Sequence, residues 1–324
     1  MAVQSPTQQT AVERPPVEAS GGCVLCHGTD TTVLIADGRD YEYGVAFQAD
    51  VVQCQRCGLA YQQPMPTLAD LPRYYPPHYA NYAAPAHPLT RSLVRLAEAL
   101  EVRDSRRLMG RQGRVLDVGC ADGHYLALLR RHAQWALEGS DLHAAAARGA
   151  IEQGFPVHLG QLEDVALPAN RFTLLRMNHL LEHVINPVTT LQTAYEILQP
   201  GGHLLIETPN IGCWDFALFK RYWGALHLPR HTYFFTPETV QRLLHQAGFQ
   251  VIQLHSTLMT TGWALGVQNF LERRGTRRLV GGRATYYPWL LIAFVPVVVA
   301  QALFGRSTMM RVVARKPEVS HARA

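Results

Sequence analysis

Four of the six cysteines fall in two pairs, Cys23-Val-Leu-Cys26 and Cys54-Gln-Arg-Cys57, with 27 residues between them. A C-x-x-C turn presents two thiolates together, and four thiolates close the tetrahedral shell of a zinc ion. Gly28 and Gly58 follow the pairs and give the backbone freedom such turns need. Cys23–His27 also fits the haem-attachment spacing C-x-x-C-H, which leaves Cys54 and Cys57 without a role. A metal-free or redox pair is a further alternative. The expectation is structural zinc on Cys23, Cys26, Cys54 and Cys57, because four thiolates leave no open position for catalysis. The second stretch with chemical content is Arg114–Tyr125, RVLDVGCADGHY. Its apolar run Val115, Leu116, Val118 leads into a turn bracketed by Gly119 and Gly123, and helical spacing resumes at Tyr125. A strand–glycine turn–helix unit brings backbone N–H groups and a helix N-terminus to a ligand. The glycines do not have the G-x-G-x-x-G spacing of a dinucleotide turn. Further on, His179-Leu-Leu-Glu182-His183 matches an inverted zinc-hydrolase signature, but that signature requires a helix and not a strand end.

The elements that position these residues follow from periodicity. From Arg114 onward strand and helix patterns alternate, which predicts a parallel sheet with helices on both faces. Strands are expected at Trp135–Ser140, Pro156–Leu159, Phe172–Asn178, His203–Thr208, Phe249–His255 and Met309–Ala314. Helices are expected at 143–153, at Leu191–Leu198 before Pro200-Gly201-Gly202, and after Thr236-Pro237 as far as Gly248. Asp141, at the end of the second strand, can accept two hydrogen bonds from a ribose diol; it can equally cap the helix behind it. Upstream, Thr32–Ile35 and Val45–Val52 read as short strands of a zinc ribbon. Pro64–Tyr82 reads as a strap whose Tyr74, Tyr75, Tyr79 and Tyr82 either pack on the main domain or cover a pocket. Thr90–Leu108 reads as an amphipathic helix with Leu93, Leu96, Ala97 and Leu100 on one face. The layout is a polar lead-in over 1–20 without a secretion pattern, the ribbon over 21–62, strap and helix over 63–110, and the main domain over 111–318. That domain carries a substrate-side insertion at 209–237 and an apolar segment at 284–305.

Of the 324 residues only Lys220 and Lys316 are lysine, so the net charge of +5 is scattered arginine, and no clustered basic–aromatic surface points to nucleic acid. Cysteine pairs of this kind fit a reducing cytoplasm. Tyr286–Phe304 is a 19-residue apolar stretch, long enough to cross a bilayer. Pro288 and Pro296 interrupt it, and Met309–Ala314 must return to the sheet four residues later. It is therefore expected to pack on the sheet or at a dimer interface, or to lie on the membrane beside the basic Arg273–Arg283 turn.

Asp117-x-Gly119-x-x-x-Gly123, together with Leu198-x-Pro200-Gly201-Gly202-x-Leu204, resembles class I S-adenosylmethionine (SAM)-dependent methyltransferases. With the paired cysteines and the His231–Pro237 passage added, the resemblance runs over nearly all of Cys23–Pro317. It implies an α/β fold with a seven-stranded Rossmann-like methyltransferase sheet behind the small zinc ribbon. It also implies SAM as cofactor, held by Asp117, Gly119, Cys120, Asp122, Gly123, Asp141, Leu142, Gln161, Leu162 and Asn178. Gln161 stands where the family often has an acid, and Thr173 where it has an aspartate. Glu182-His183 is similar to the post-strand Glu-His of the ubiquinone-pathway O-methyltransferases, some of which use it to hold a metal; His179 stands where those carry a further glutamate. The paired cysteines and His231-x-Tyr233-Phe234-Phe235-Thr236-Pro237 resemble bacterial methyltransferases encoded among glycan and nucleotide-sugar biosynthesis genes. These resemblances imply methyl transfer to a sugar or nucleotide-sugar, O- or C-linked. A lipid or quinone acceptor at the inner membrane face is the second reading, and a non-enzymatic SAM-fold partner protein the third. For a hydroxyl acceptor the base would be His231, with Tyr233 and His183 behind it, because a near-neutral imidazole suits proton removal at pH 7. The alternative for each histidine is a structural hydrogen bond.

Overall fold

The apolar run beginning at Val115 becomes an inner strand of a seven-stranded sheet in the computed structural model. The structure describes residues 22–75, 88–110, 112–131, 134–273 and 283–318, with backbone alone for 88–97. In chain order the elements are β1 (Thr31–Gly38), β2 (Ala49–Cys54), β3 (Ala60–Gln63), α1 (Pro88–Met109), β4 (Arg114–Val118), α2 (His124–Arg130), β5 (Ala136–Asp141), α3 (Ala144–Glu152), β6 (Val157–Leu159) and β7 (Phe172–Asn178). They continue with α4 (Pro187–Ile197), β8 (Leu198–Pro209), α5 (Trp214–Phe219), β9 (Tyr233–Phe234), α6 (Pro237–Gln246), β10 (Gln250–Thr257), α7 (Thr261–Leu271), α8 (Tyr287–Ala293), α9 (Val295–Leu303) and β11 (Met309–Arg315).

The large sheet has the order β10-β11-β8-β7-β4-β5-β6. All its pairings are parallel except those of β11, which runs antiparallel between β8 and β10. Val115, Leu116, Leu174 and Leu175 are fully buried, as expected of strands covered on both faces. β4 is flanked by β5 on one side and β7 on the other, so the connections part there and the carboxyl ends of these strands open into one crevice. Flanking helices carry the local signals that start them. The Asn186 side chain accepts from Val188 and Thr189 N–H at the start of α4, and Thr236 and Thr239 form a reciprocal capping box on α6 with Pro237 in its first turn.

The helix α1 departs from its expected face. Leu100 is 41 % exposed, whereas Val102, Ser105 and Met109 are buried against the sheet. Glu101 and Ser105, polar in sequence, reach Arg176 and the Tyr125 hydroxyl, and these partners turn the helix. The side chains of Leu93, Leu96 and Ala97, the lead-in 1–20, and Tyr79 and Tyr82 of the strap lie outside the described residues.

The N-terminal module forms a second, antiparallel sheet of order β1-β2-β3-β9. Its last strand comes from the insertion, with Ala60 opposite Phe234 and Tyr61 opposite Tyr233. A boundary at residue 62 therefore divides a sheet that is continuous in space: an exposed β3 edge would leave ladder groups unpaired, and β9 covers it. Cys23, Leu25, Cys54 and Leu59 share one core with Leu116, Leu162, Tyr233 and Phe235 of the main domain. A buried bidentate pair adds to the joint, with Arg230 Nη1 and Nη2 3.2 and 3.1 Å from the Asp40 carboxylate, and Nη1 also donating to Tyr74 O at 3.1 Å.

The stretch 286–304 forms two short helices, α8 and α9, each with a proline in its first turn, and Phe294 between them. Among the described residues no helix is long and apolar enough to cross a membrane. After Phe304 the chain reaches β11 through Ser307 and Thr308, both buried.

Candidate functional site

At the carboxyl ends of β4, β5 and β7 lies a cleft of about 1250 Å³. One end is the glycine turn after β4. Gly119 and Gly123 have φ of +78° and +80°, and Ala121 between them has +46°, so successive N–H groups curl towards one side in a shape suited to an anionic or polar ligand. The turn is pinned by Gly119 and Cys120 N–H, which both donate to Ser140 O at 2.7 and 3.0 Å. A Cβ on Gly123 would lie 2.8 Å from the Ala150 Cβ, so this residue sets the packing of α2 on α3 and does not itself line the cleft. The other nine residues expected at a SAM site all line it: Asp117, Gly119, Cys120, Asp122, Asp141, Leu142, Gln161, Leu162 and Asn178.

Asp141 is held by two backbone N–H groups, one of them from the turn after β4. Its Oδ2 accepts from Ala121 N–H at 3.0 Å and its Oδ1 from His143 N–H at 2.9 Å. A carboxylate has about four acceptor positions, so two remain for a diol. The N-cap of α3 is His143, without a side-chain bond, so Asp141 braces the turn and does not cap that helix. Asp117 is nearly fully buried and receives Arg176 Nη1 at 2.9 Å, while Arg176 Nε donates to Glu101 at 2.7 Å and its guanidinium lies 4.0 Å from the Tyr125 ring centroid. Burial alone would lower the Arg176 pKa, but the two carboxylates outweigh it and raise it, keeping a fixed positive charge under the turn. Gln161 donates to Asp164 at 2.9 Å. The acid on this wall is Glu163, two residues later than the family position: it accepts from Thr190 Oγ1, and burial raises its pKa. Spacing alone did not single it out, because the local 3-10 turn 162–164 resets which side chains face inward.

The far end of the cleft is lined by histidines: His179, His183, His227 and His231. The His183 and His231 rings meet edge to face at 4.5 Å, and His227 and His231 at 5.0 Å. His231 Nδ1 lies 2.9 Å from Ala225 O and His183 Nδ1 3.0 Å from Arg230 O. Each ring thus donates from Nδ1 and keeps Nε2 as its acceptor. Burial and neighbouring imidazoles hold His231 well below the usual histidine range. His183 is lowered to about 4, again chiefly by burial, with Glu182 opposing. Tyr75 of the strap stands 3.3 Å from His183 Nδ1, while Tyr74 packs edge-on against Phe47. The His179–His183 passage follows β7 as turns and not as a helix, so the zinc-hydrolase geometry is absent there. His179 places an imidazole beside Glu182, whose other oxygen accepts from Thr208 at 3.0 Å.

Tyr233 is not brought to the cleft. Its hydroxyl donates to Ile185 O at 3.1 Å and its ring stacks on Phe235 in the core, with burial raising its pKa. In its place the structure adds His227, whose Nδ1 lies 2.7 Å from Glu42 Oε1. Glu42 belongs to the loop between β1 and β2 and also pairs with Arg283 at 2.6 Å. Burial opposes its ionisation, but His227, Arg283 and Arg230 together bring its pKa down to about 2. The sequence held no signal for this pair, since its members are separated by 185 positions.

The four cysteines also converge. Cys23 and Cys57 Sγ are 3.4 Å apart, Cys26 and Cys54 Sγ 3.5 Å, and all four lie within 4.8 Å of one another. Zn–S bonds of about 2.3 Å give tetrahedral S–S edges of about 3.8 Å. The donor set and spacing therefore fit zinc, and the site lies behind the cleft rather than in it.

A sequence profile described as a methyltransferase domain matches residues 84–254, just over half of the chain. Over 154 residues the chain is 30 % identical to the ubiquinone biosynthesis O-methyltransferase of Aromatoleum aromaticum, covering 44 % of this chain and 65 % of that protein. The protein of the same name from Cupriavidus pinatubonensis is 27 % identical over 154 residues, covering 44 % and 61 %. The chain thus spans less than two thirds of the length of these relatives. Among solved structures, a SAM-dependent methyltransferase from Archaeoglobus fulgidus aligns with a TM-score of 0.47 at 19 % identity, covering 68 % of this chain and 94 % of that one.

Proposed function

The chain belongs to the methyltransferase-domain family, and from that premise we propose that it transfers the methyl group of SAM to a hydroxyl of a small-molecule acceptor. The observation that carries this reading is a single cleft with the Asp117–Asp141 turn at one end and a wall of imidazoles at the other. SAM supplies a methyl group made electrophilic by its positive sulfonium, so alignment is the main task of the protein. Asp141 holds the ribose, and the turn N–H groups with Asp122 hold the remainder of the nucleoside and amino acid. Gln161, Leu162 and Glu163 border the adenine. At the acceptor end, Nε2 of a neutral histidine accepts the hydroxyl proton. His227 is best placed for this, since Glu42 stabilises the imidazolium that results. His231 and His183, both made weakly basic by burial, orient the acceptor.

The acceptor is a sugar or nucleotide-sugar. Its support is the cysteine module joined to the His231–Pro237 passage, and the polar character of the histidine wall. A lipid or quinone is the second reading, favoured by Leu68, Leu71, Leu180, Val184 and Met259 along the same cleft and by the names of the relatives. One experiment separates them. The protein is incubated with methyl-labelled SAM and a bacterial extract split into water-soluble and chloroform-soluble pools. Label in the water-soluble pool is expected, label in the chloroform pool supports the second reading, and label in neither overturns methyl transfer.

A further inference from the structure

The helices α8 and α9 expose one apolar stripe. Trp289 and Ile292 on α8 are 74 % and 52 % exposed; Val295, Val299 and Leu303 on α9, with Phe304 after it, are 46 %, 44 %, 81 % and 70 % exposed. Their positions at i, i+3 and at i, i+4, i+8 lie along one side of each helix. The opposite sides are occupied. Tyr287, Leu290 and Leu291 pack on Ala264 and Leu265 of α7, and Val298 is buried. Gln301, the only polar side chain of 288–304, is fully buried and donates to Asp215 Oδ1 and Arg306 O, both at 3.0 Å, while accepting from Trp263 Nε1 at 2.7 Å. The hairpin is therefore clamped in place with its apolar stripe outward. Singly exposed apolar residues are ordinary, but six on two consecutive helices, one of them a tryptophan, form a patch that calls for a partner.

Charge selects among partners. From Arg273 to Thr308 the sequence contains six arginines and no aspartate or glutamate; Arg283 is paired with Glu42, and Arg306, at the end of the stripe, is exposed. An apolar face containing tryptophan and bordered by arginine fits the boundary between headgroups and acyl chains of an anionic bilayer, where such helices lie about 5–10 Å deep. The inner side of the hairpin packs on α7, whose Leu265 also lines the cleft. We propose that the α8–α9 hairpin docks this protein on an anionic lipid surface, lying in the interface without crossing it. This docking stands apart from the methyl-transfer reading and is tested without SAM turnover.

The test is sedimentation of the full-length protein with vesicles of phosphatidylcholine alone or with phosphatidylglycerol added, at low and high salt. Binding to the anionic vesicles is expected, weakening as salt shortens the Debye length from about 10 Å towards 3 Å. In W289S/F304S the partition coefficient should fall about tenfold or more. Circular dichroism and SAM affinity equal to wild type in the variant would show that only the surface has changed. Absence of binding to anionic vesicles, equal binding by wild type and variant, or a wild-type dimer that the variant converts to a monomer would each overturn the proposal. The last of these would assign the stripe to a second copy of the chain.

Discussion

The two ends of the cleft are built in opposite ways. At the SAM end, residues 117–124 and 140–143 do most of the work, and their partners are close in sequence or on adjacent parallel strands, as with Ala121 N–H on Asp141. At the acceptor end, the wall is assembled from the β1–β2 loop, the strap, the turn after β7, the insertion and Arg283. The first end needs only the sheet. The second needs the N-terminal module docked on the insertion, through β9, the Arg230–Asp40 pair and the cysteine cluster behind them. The acceptor end is thus the part that can be lost while SAM is still bound.

Removing the zinc that the four cysteines are expected to hold should make the widest separation. Structural zinc at such sites is worth about 10–16 kcal/mol of binding energy. Metal analysis is expected to give one zinc per chain. A chelator should then expose residues 22–75 to proteolysis while SAM affinity, read by calorimetry, stays within about tenfold. A chelated protein that resists cleavage in this region would break the comparison. Arg230→Ala strikes the same joint more narrowly. It leaves the buried Asp40 carboxylate without its cation, held only by the N–H groups of Glu42, Tyr43 and Val45, and chemical denaturation should show a loss of about 3–5 kcal/mol.

Acid should also act on the acceptor end. The unfolded chain protonates His183 near pH 6.5, whereas the folded chain resists until about pH 4, so the unfolded state binds more protons between these values. Stability should therefore fall as pH drops from 6.5 to 4, by up to about 3 kcal/mol from this residue. Glu42, ionised in the fold down to about pH 2, adds a second loss as pH falls from about 4.5 to 2. Denaturation midpoints for His183→Gln should shrink the upper window, which buried His231 shares, and keep the lower one; an unaltered upper window would remove His183 from the account. The smallest of these effects belongs to the SAM end. Asp141→Ala removes two ribose bonds and should weaken SAM by about 10- to 100-fold without moving the zinc content. Unchanged SAM affinity would exclude Asp141 from the site.

Much of this protein was legible in order of contact distance. Apolar runs and turn residues gave the strands of the large sheet to within a few residues, because each strand's burial is written in its own composition. The Thr236-Pro237 helix start and the proline breaks of 286–304 were equally local. Cysteine pairing by its spacing, and the Asp117–Gly123 turn by its resemblance to a family motif, pointed to two candidate sites. What sequence could not settle was which side chains meet from distant segments. Leu100 is exposed because Glu101 and Ser105 find Arg176 and Tyr125. Tyr233 is turned into the core because its strand completes another module's sheet. His227 faces Glu42 only after that module has docked. Such contacts depend on how rigid elements come to rest against each other, and a periodicity of two or 3.6 residues carries no record of that. Local sequence determined the elements and the glycine turn after β4, and tertiary packing decided the histidine wall at the far end of the cleft.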